Sequence, residues 1–366
     1  MCIDTKQQVF YHLEHMINFP LISAGLISFV ICMIMIPVLI KMSNKYNWFD
    51  EIDERKIHTG QISRLAGFAI FYSMIIGLAV SLILINKSSI ETDVPTYRII
   101  SFLAAYFIVH LIGLIDDFKN IRPRYKFLVQ IIAALIIIIP DRTFSLLHVP
   151  FINVTLNIGP FGYLLTLIWI IGACNAVNLI DGMDGLSGGI TAIAALCLTI
   201  VAIALGNILT AVIAFALFGS IIGFLVFNFP PAKIFMGDSG SLVLGFILAS
   251  LPLLEMTFES DMRFIIAVSI LFIPVIDTLT SMLRRLRRGQ SPFHPDREHL
   301  HHKLMDRNFS TRQILFTIYS VSCILGLSIV IWSFSGNPAV INGTIIIWAV
   351  LIVISLLLEK HHAENN

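Results

Sequence analysis

The feature that most constrains this chain is the recurrence of apolar runs long enough to cross a bilayer. Windows of about 19 residues find them near 20–41, 66–86, 98–115, 125–140, 161–175, 187–205, 208–228, 239–254, 263–283, 312–334 and 339–358. About 20 helical residues cover the roughly 30 Å of hydrocarbon, and by that measure the fourth, fifth and eighth runs are short. Backbone polar groups find no water in lipid, so each run is expected to be a helix. The expectation is an all-α, polytopic membrane protein with eleven spans in a single domain over residues 1–366. Composition agrees, with 57% hydrophobic and 13% charged residues against about 25% charged in soluble domains. Only Lys6 precedes the first run and no small-residue cleavage signal follows, so that run reads as a retained anchor. Cys2, Cys32, Cys174, Cys197 and Cys323 show no C-x-x-C spacing, which argues against a disulfide framework or a thiolate zinc site. No internal repeat is visible.

Charge placement orients the spans. Loops after the odd-numbered runs, with the C-terminus, hold 19 of the 24 Lys and Arg residues; the opposite face has Lys6, Lys87, Arg98, Arg142 and Arg263. By the positive-inside rule the N-terminus is outside and the C-terminus cytosolic. The polar residues that stand out then fall on the cytosolic side, in loops near 43–65, 116–124, 175–187, 228–240 and 284–311. "GLIDDFKN" places Asp116 and Asp117 at the inner end of the third run, and "NAVNLIDGMDGL" places Asp181 and Asp184 after the fifth. "NFPPAKIFMGDSGS" brings Asp238, and "HPDREHLHHKL" brings His299, His301 and His302.

Each signal also has a plainer reading. Asp116 and Asp117 can mark a helix end; the Asp-Gly pairs can be turns; Asp238 before Ser239 and Gly240 can cap the eighth helix. The cluster Arg284, Arg285, Arg287 and Arg288 reads as a topology signal that meets anionic headgroups. The histidine run lacks the spacing of a zinc hydrolase motif. Asp277, two turns inside the ninth run, would cost of order 3 kcal/mol if ionised near the bilayer centre, and either faces the site or bonds another helix. Taken together, five carboxylates without a thiolate favour Mg²⁺ or Mn²⁺ shared with substrate phosphates. Phosphoryl transfer at a lipid–water boundary fits that set, with cations offsetting the charge of two phosphates.

The combination of "NAVNLIDGMDGLSGG", "FMGDSGS", a "DD" pair after a third helix and "SPFHPDREHLHHKL" resembles the polyprenyl-phosphate N-acetylhexosamine-1-phosphate transferase family, nearly end to end. "GPFGYLLTL", "LRRLRRGQSPFHPDREHLHH" and "STRQ" are most similar to its WecA-type branch. The resemblance implies UDP-GlcNAc and undecaprenyl phosphate as substrates, UMP and GlcNAc-diphospho-undecaprenol as products, and Mg²⁺ or Mn²⁺ as cofactor. It places the chain in a bacterial cytoplasmic membrane, priming O-antigen, enterobacterial common antigen or teichoic acid. It also implies Asp238 as metal ligand with Asp184 second, and Asp116 or Asp117 holding or deprotonating the lipid phosphate. Asn178 and Asp181 fall on the nucleotide side, and His299, His301 and His302 with Arg297 form cationic support for the diphosphate and uracil end. Arg55, Lys56 and His58 in "RKIH" fall near the lipid phosphate, while Asn228 and Lys233 in "NFPPAK" match without an assigned role. The first loop departs from the family's prolines and Gly-Gly pair with Ile52, Ser63, and Ala66 before Gly67, which bears on loop conformation more than on chemistry. The MurNAc-pentapeptide sibling differs at the histidine loop, a FucNAc- or QuiNAc-type donor is the closer alternative, and a transporter would place its acids at the midplane of repeated halves. No nucleic-acid partner is expected, and an oligomer is compatible with the sequence.

Overall fold

The computed structural model describes residues 19–49, 62–87, 94–140, 143–254, 262–291 and 299–365. Arg55, Lys56, His58, Ile52 and Arg297 lie outside the described residues. Four helices come first: α1 (Phe19–Tyr46), α2 (Ala66–Lys87), α3 (Thr96–Lys119) and α4 (Pro123–Ile138). Next are α5 (Phe161–Ile180), α6 (Leu186–Ala204), α7 (Ile208–Asn228) and α8 (Asp238–Ser250). The chain then forms α9 (Arg263–Ile270), α10 (Phe272–Arg287), the short α11 (Leu300–Asp306), α12 (Thr311–Ser335) and α13 (Pro338–Asn365).

Eight of these helices are long and apolar enough to cross a membrane, and a ninth crossing is available if α9 and α10, bent by 78°, act as one broken span. The chain is thus mostly helical and polytopic. Of the eleven expected spans, the fourth and eighth fall short: α4 has 16 residues and α8 has 13 before a 3₁₀ turn at Leu251–Leu253. Pro123 starts α4 late because proline tolerates the first helical turn but not the interior, and Pro252 sits in the turn that ends α8. The fifth run, by contrast, is a full 20-residue helix, because α5 runs past Asn175 and Asn178 to Ile180. Those asparagines have side-chain partners, which removes the cost of burying them.

The expectation of an all-α fold needs one correction. Between α4 and α5, β1 (Leu146–Val149) and β2 (Val154–Asn157) form an antiparallel hairpin, with Leu147 opposite Leu156 and Val149 opposite Val154. β-branched and apolar residues alternate with Thr155 and Asn157 here, a strand pattern too short to register against the neighbouring helical runs. The turn places Phe151 and Asn153 at positive φ.

The centre of the bundle is α8. Every residue from Ser239 to Ser250 is buried, and α3 and α5 pack along it. Gly113 of α3 permits the approach: a Cβ there would lie 2.6 Å from the Asp238 carbonyl oxygen and from Ser239 Cα. Smaller devices fix the ends of other helices. Ser310 and Gln313 make a reciprocal capping box at the start of α12, and Gly336, at φ 61°, closes its C-terminus.

Candidate active site

The site forms where α3, α5 and α7 end and α4 and α8 begin. Residues 63–67 and 235–237 run side by side: Phe235 N–H donates to the Ser63 carbonyl, and Ala66 and Gly67 N–H donate to the Phe235 and Met236 carbonyls. The Ser63 hydroxyl also accepts from Ser43 at 2.8 Å. The departures at Ser63 and Ala66 therefore leave an ordered, backbone-paired segment. Gly237 follows at φ 71°, where a Cβ would sit 2.2 Å from the Arg64 carbonyl oxygen and 2.6 Å from Asp117 Oδ1. Only glycine fits both that φ and that space.

Directly after this turn α8 begins, and the two adjacent aspartates of α3 divide their work around it. Asp117 accepts the backbone N–H of Asp238 at 2.7 Å and of Ser239 at 3.1 Å. It caps α8 from another helix, satisfying donors that a helix N-terminus leaves orphaned. Asp116 turns the other way: Oδ1 accepts from Ile121 N–H at 2.7 Å, and Oδ2 lies 3.0 Å from the Lys126 ammonium. The same ammonium lies 2.7 Å from Asp238 Oδ2. Asn178 completes the group by donating its amide to Asp238 Oδ1 at 3.1 Å and to Ser241 Oγ at 2.8 Å. One turn back, Asn175 and Gln130 exchange amide bonds between α5 and α4, the shorter at 2.7 Å.

The turn after α5 carries Asp181 and Asp184 to the same end. Burial pushes the Asp181 carboxyl up to about 7; the charge on Asp238 adds to this and the Arg64 guanidinium opposes it. Asp184 Oδ2 accepts from Ala232 N–H at 2.9 Å, and Asn228 Oδ1 accepts from Gly185 N–H at 2.9 Å while its amide donates to the Ile234 carbonyl. Asn228 thus staples the DGxDG turn to the loop after α7, and Tyr319 of α12 donates to the Gly185 carbonyl at 2.5 Å. Lys233 has an exposed side chain.

The histidines arrive on α11. Asp277, 3% exposed within α10, accepts from Leu300 N–H at 2.8 Å and holds His299 Nδ1 at 2.8 Å. Both readings of Asp277 therefore merge, since its inter-helix bond is to the histidine motif itself. His301 stacks between His299 and His302, and its Nε2 lies 3.0 Å from where a Cβ on Gly182 would be. The histidine helix is docked on the acidic turn. His301 is 2% exposed and neither ring nitrogen has a hydrogen-bond partner among the described residues. Burial, reinforced by the His302 ring and partly offset by Asp277, pushes it down to about 3. Burial thus favours the neutral imidazole at His301, against the cationic role expected for it, while a phosphate beside the ring would favour the cation.

Lys126 is the site residue that sequence reasoning missed. It stands beside Arg122 and Arg124, where the positive-inside pattern accounts for it fully. Gln130 and Ser241 were likewise hidden inside apolar runs. The structure brings Asp116, Asp238 and Asn178 together, whereas Asp184, expected beside Asp238, bonds to the neighbouring loop. Among the described residues no three His, Cys, Asp or Glu side chains converge as a ready-made metal cage. Two carboxylates that already share one cation are still an oxygen donor set of the kind that takes Mg²⁺ together with phosphates.

The glycosyl transferase family 4 profile matches residues 99–255. The chain is 32% identical to a probable undecaprenyl-phosphate N-acetylglucosaminyl 1-phosphate transferase of Bacillus subtilis, over 94% of this chain and 90% of the relative. It is 32% identical to a decaprenyl-phosphate N-acetylglucosaminephosphotransferase of Mycolicibacterium smegmatis, over 84% and 81%. It is also 30% identical to an undecaprenyl-phosphate alpha-N-acetylglucosaminyl 1-phosphate transferase of Yersinia pestis, over 82% and 80%. With matched segments that hold Asp116, Lys126, Asn178 and Asp238 and near-full coverage of its relatives, the chain belongs to glycosyl transferase family 4, the polyprenyl-phosphate N-acetylhexosamine-1-phosphate transferases.

Proposed function

We propose that this protein transfers GlcNAc-1-phosphate from UDP-GlcNAc to undecaprenyl phosphate at the cytosolic face of a bacterial cytoplasmic membrane. The N-terminus is then outside, and the product GlcNAc-diphospho-undecaprenol primes a cell-envelope polymer such as O-antigen, enterobacterial common antigen or teichoic acid. The observation that carries this reading is the Lys126 ammonium held between Asp116 and Asp238 at the start of a buried helix, where cationic and anionic groups alternate as a phosphate-transfer site requires. The names of its relatives support the transferred group and the acceptor.

In the reaction an oxygen of the lipid phosphate attacks the β-phosphorus of UDP-GlcNAc, and the bond to the α-phosphate oxygen breaks to release UMP. A monophosphate attacker is already largely dianionic near neutral pH, so no strong base is needed. Lys126 supplies a positive charge to the phosphates while Asp116 and Asp238 fix its position. Asn178 fixes the second oxygen of Asp238, and Asp117 keeps the α8 N-terminus in register. Mg²⁺ or Mn²⁺ held by Asp238 and Asp116 would neutralise charge on the diphosphate; Asp184, expected as the second ligand, is engaged by Ala232 N–H in the loop after α7. Asp181 and His302 face the nucleotide side.

The test is incorporation of radiolabelled GlcNAc-1-phosphate into organic-soluble lipid by purified protein with undecaprenyl phosphate, with Mg²⁺ or EDTA. Metal-dependent labelling, not suppressed by excess UDP-GalNAc or UDP-MurNAc-pentapeptide, is expected. Suppression by another UDP-sugar would change the donor, and absence of lipid product from every donor would overturn the reading.

A further inference from the structure

The helix that carries the histidines is too short to hold itself in place. α11 has seven residues, and isolated helices below about 12 residues are marginal in water, so its position must come from what it touches. At its first residue that contact is Asp277. At its centre it is Lys303, 2% exposed, whose ammonium meets Glu359 Oε1 of α13. The same oxygen lies 2.5 Å from Arg284 Nη1 of α10, and Arg284 also donates to Ser281 Oγ at 3.2 Å.

Glu359 stands out within its own helix. Only 11% of the apolar window of α13 is buried inside the protein, so this helix is mostly a lipid-facing surface. Yet the Glu359 side chain is only 10% exposed, against 7% for Arg284 and 3% for Lys303. Buried charges need partners, and removing one of them leaves the others uncompensated. Here one carboxylate serves two buried cations from two different segments. Burial pushes the Lys303 ammonium down, and pairing with Glu359 holds it up.

We propose that Glu359 is a positioning residue for the transfer reaction: it locks the histidine helix against α10, which keeps His301 against Gly182 and His302 at the edge of the site. This rests on the functional reading above. It makes the C-terminal helix, which lies outside residues 99–255 matched by the family profile, part of the catalytic unit.

The experiment has an activity arm and a conformational arm. Full-length protein in detergent is treated with diethyl pyrocarbonate, and acylation of His301 is followed by mass spectrometry beside kcat and KM for UDP-GlcNAc. In Glu359→Gln, His301 should be labelled at least fivefold faster than in the wild type and kcat should fall at least tenfold, with KM for UDP-GlcNAc within twofold. Glu359→Asp keeps a carboxylate at the position that faces Lys303 and Arg284 and should hold His301 protection and turnover closer to the wild type than Glu359→Gln does, while labelling of His148 in β1 should be the same in all three proteins, which a general loss of folding would not allow. Protection unchanged in Glu359→Gln overturns the proposal, as does faster labelling with unchanged kcat, or a Glu359→Asp variant that loses protection and turnover as fully as Glu359→Gln. If the wild type makes no lipid product, the labelling arm still decides whether Glu359 holds the helix, so the two failures are distinguishable.

Discussion

Replacing Lys126 by methionine keeps most of the side-chain volume and removes the charge between two carboxylates. The ammonium nitrogen lies 3.0 Å from Asp116 Oδ2 and 2.7 Å from Asp238 Oδ2, so those oxygens are at most 5.7 Å apart. At an effective dielectric constant near 20, two unit charges at that separation repel by about 3 kcal/mol. The side chains concerned are 20%, 11% and 17% exposed, so solvent relieves only part of this. Lys126→Met should therefore lose on the order of 3 kcal/mol when divalent metal is removed, a drop of several degrees in Tm. Mg²⁺ should raise the Tm of the variant more than that of the wild type, since a cation at the two carboxylates would take over the missing charge. Turnover should fall by about 10²–10³, the range for deleting one group that stabilises developing charge. Thermal unfolding in detergent with EDTA or with Mg²⁺, beside the radiolabel assay, reads both effects. A variant with wild-type Tm in EDTA and an unchanged response to Mg²⁺ would refute the reasoning.

Asp117→Ala removes the acceptor for two backbone N–H groups at the start of α8 and should cost about 2 kcal/mol, whereas Asp117→Asn, which keeps one acceptor, should cost about half; thermal unfolding of the pair checks the ratio. Gly237→Ala puts a methyl group 2.2 Å from the Arg64 carbonyl oxygen at φ 71°, so turnover should be lost together with several degrees of Tm. Asp181 has its folded carboxyl raised to about 7 from an unfolded value of 3.8, so the folded state binds the extra proton between those values and stability falls as pH rises through them. Asp181→Asn should flatten the decline in Tm between pH 4 and pH 7, and an identical pH profile in both proteins would remove the assignment.

Much of this architecture was legible in the apolar runs, because a bilayer leaves a chain few alternatives to helices. What the runs do not encode is which helices are full spans. The fourth and eighth, α4 and α8, are set by Pro123 and by the turn at Leu251–Leu253, and the ninth breaks at Leu271 into two segments. Chemistry was legible where it broke the apolar pattern: an aspartate pair, Asp-Gly turns and a histidine run each disrupt a helix-like stretch. Lys126 and Glu359 were not, since a cation near a cytosolic helix end and an acid in a terminal tail both have ordinary explanations in sequence. Lys126 meets Asp238 112 residues away, and Glu359 meets Lys303 and Arg284 56 and 75 residues away, contacts that only the packing of helices creates. The aspartate pair teaches a related point, for adjacent identical residues about 100° apart around a helix face different neighbours and do different work.

The burial of α8 from Ser239 to Ser250 predicts how differently the segments of the chain will drift. A lipid-facing helix such as α13 accepts almost any apolar exchange, because acyl chains adapt to its shape, while α8 is surrounded by rigid protein on every side and holds the first aspartate of the site at its tip. A saturation library scored for growth or turnover should thus show a narrow band of near-immutable positions at 238–250, flanked by permissive spans of the same hydrophobicity. Hydropathy alone would never separate the two.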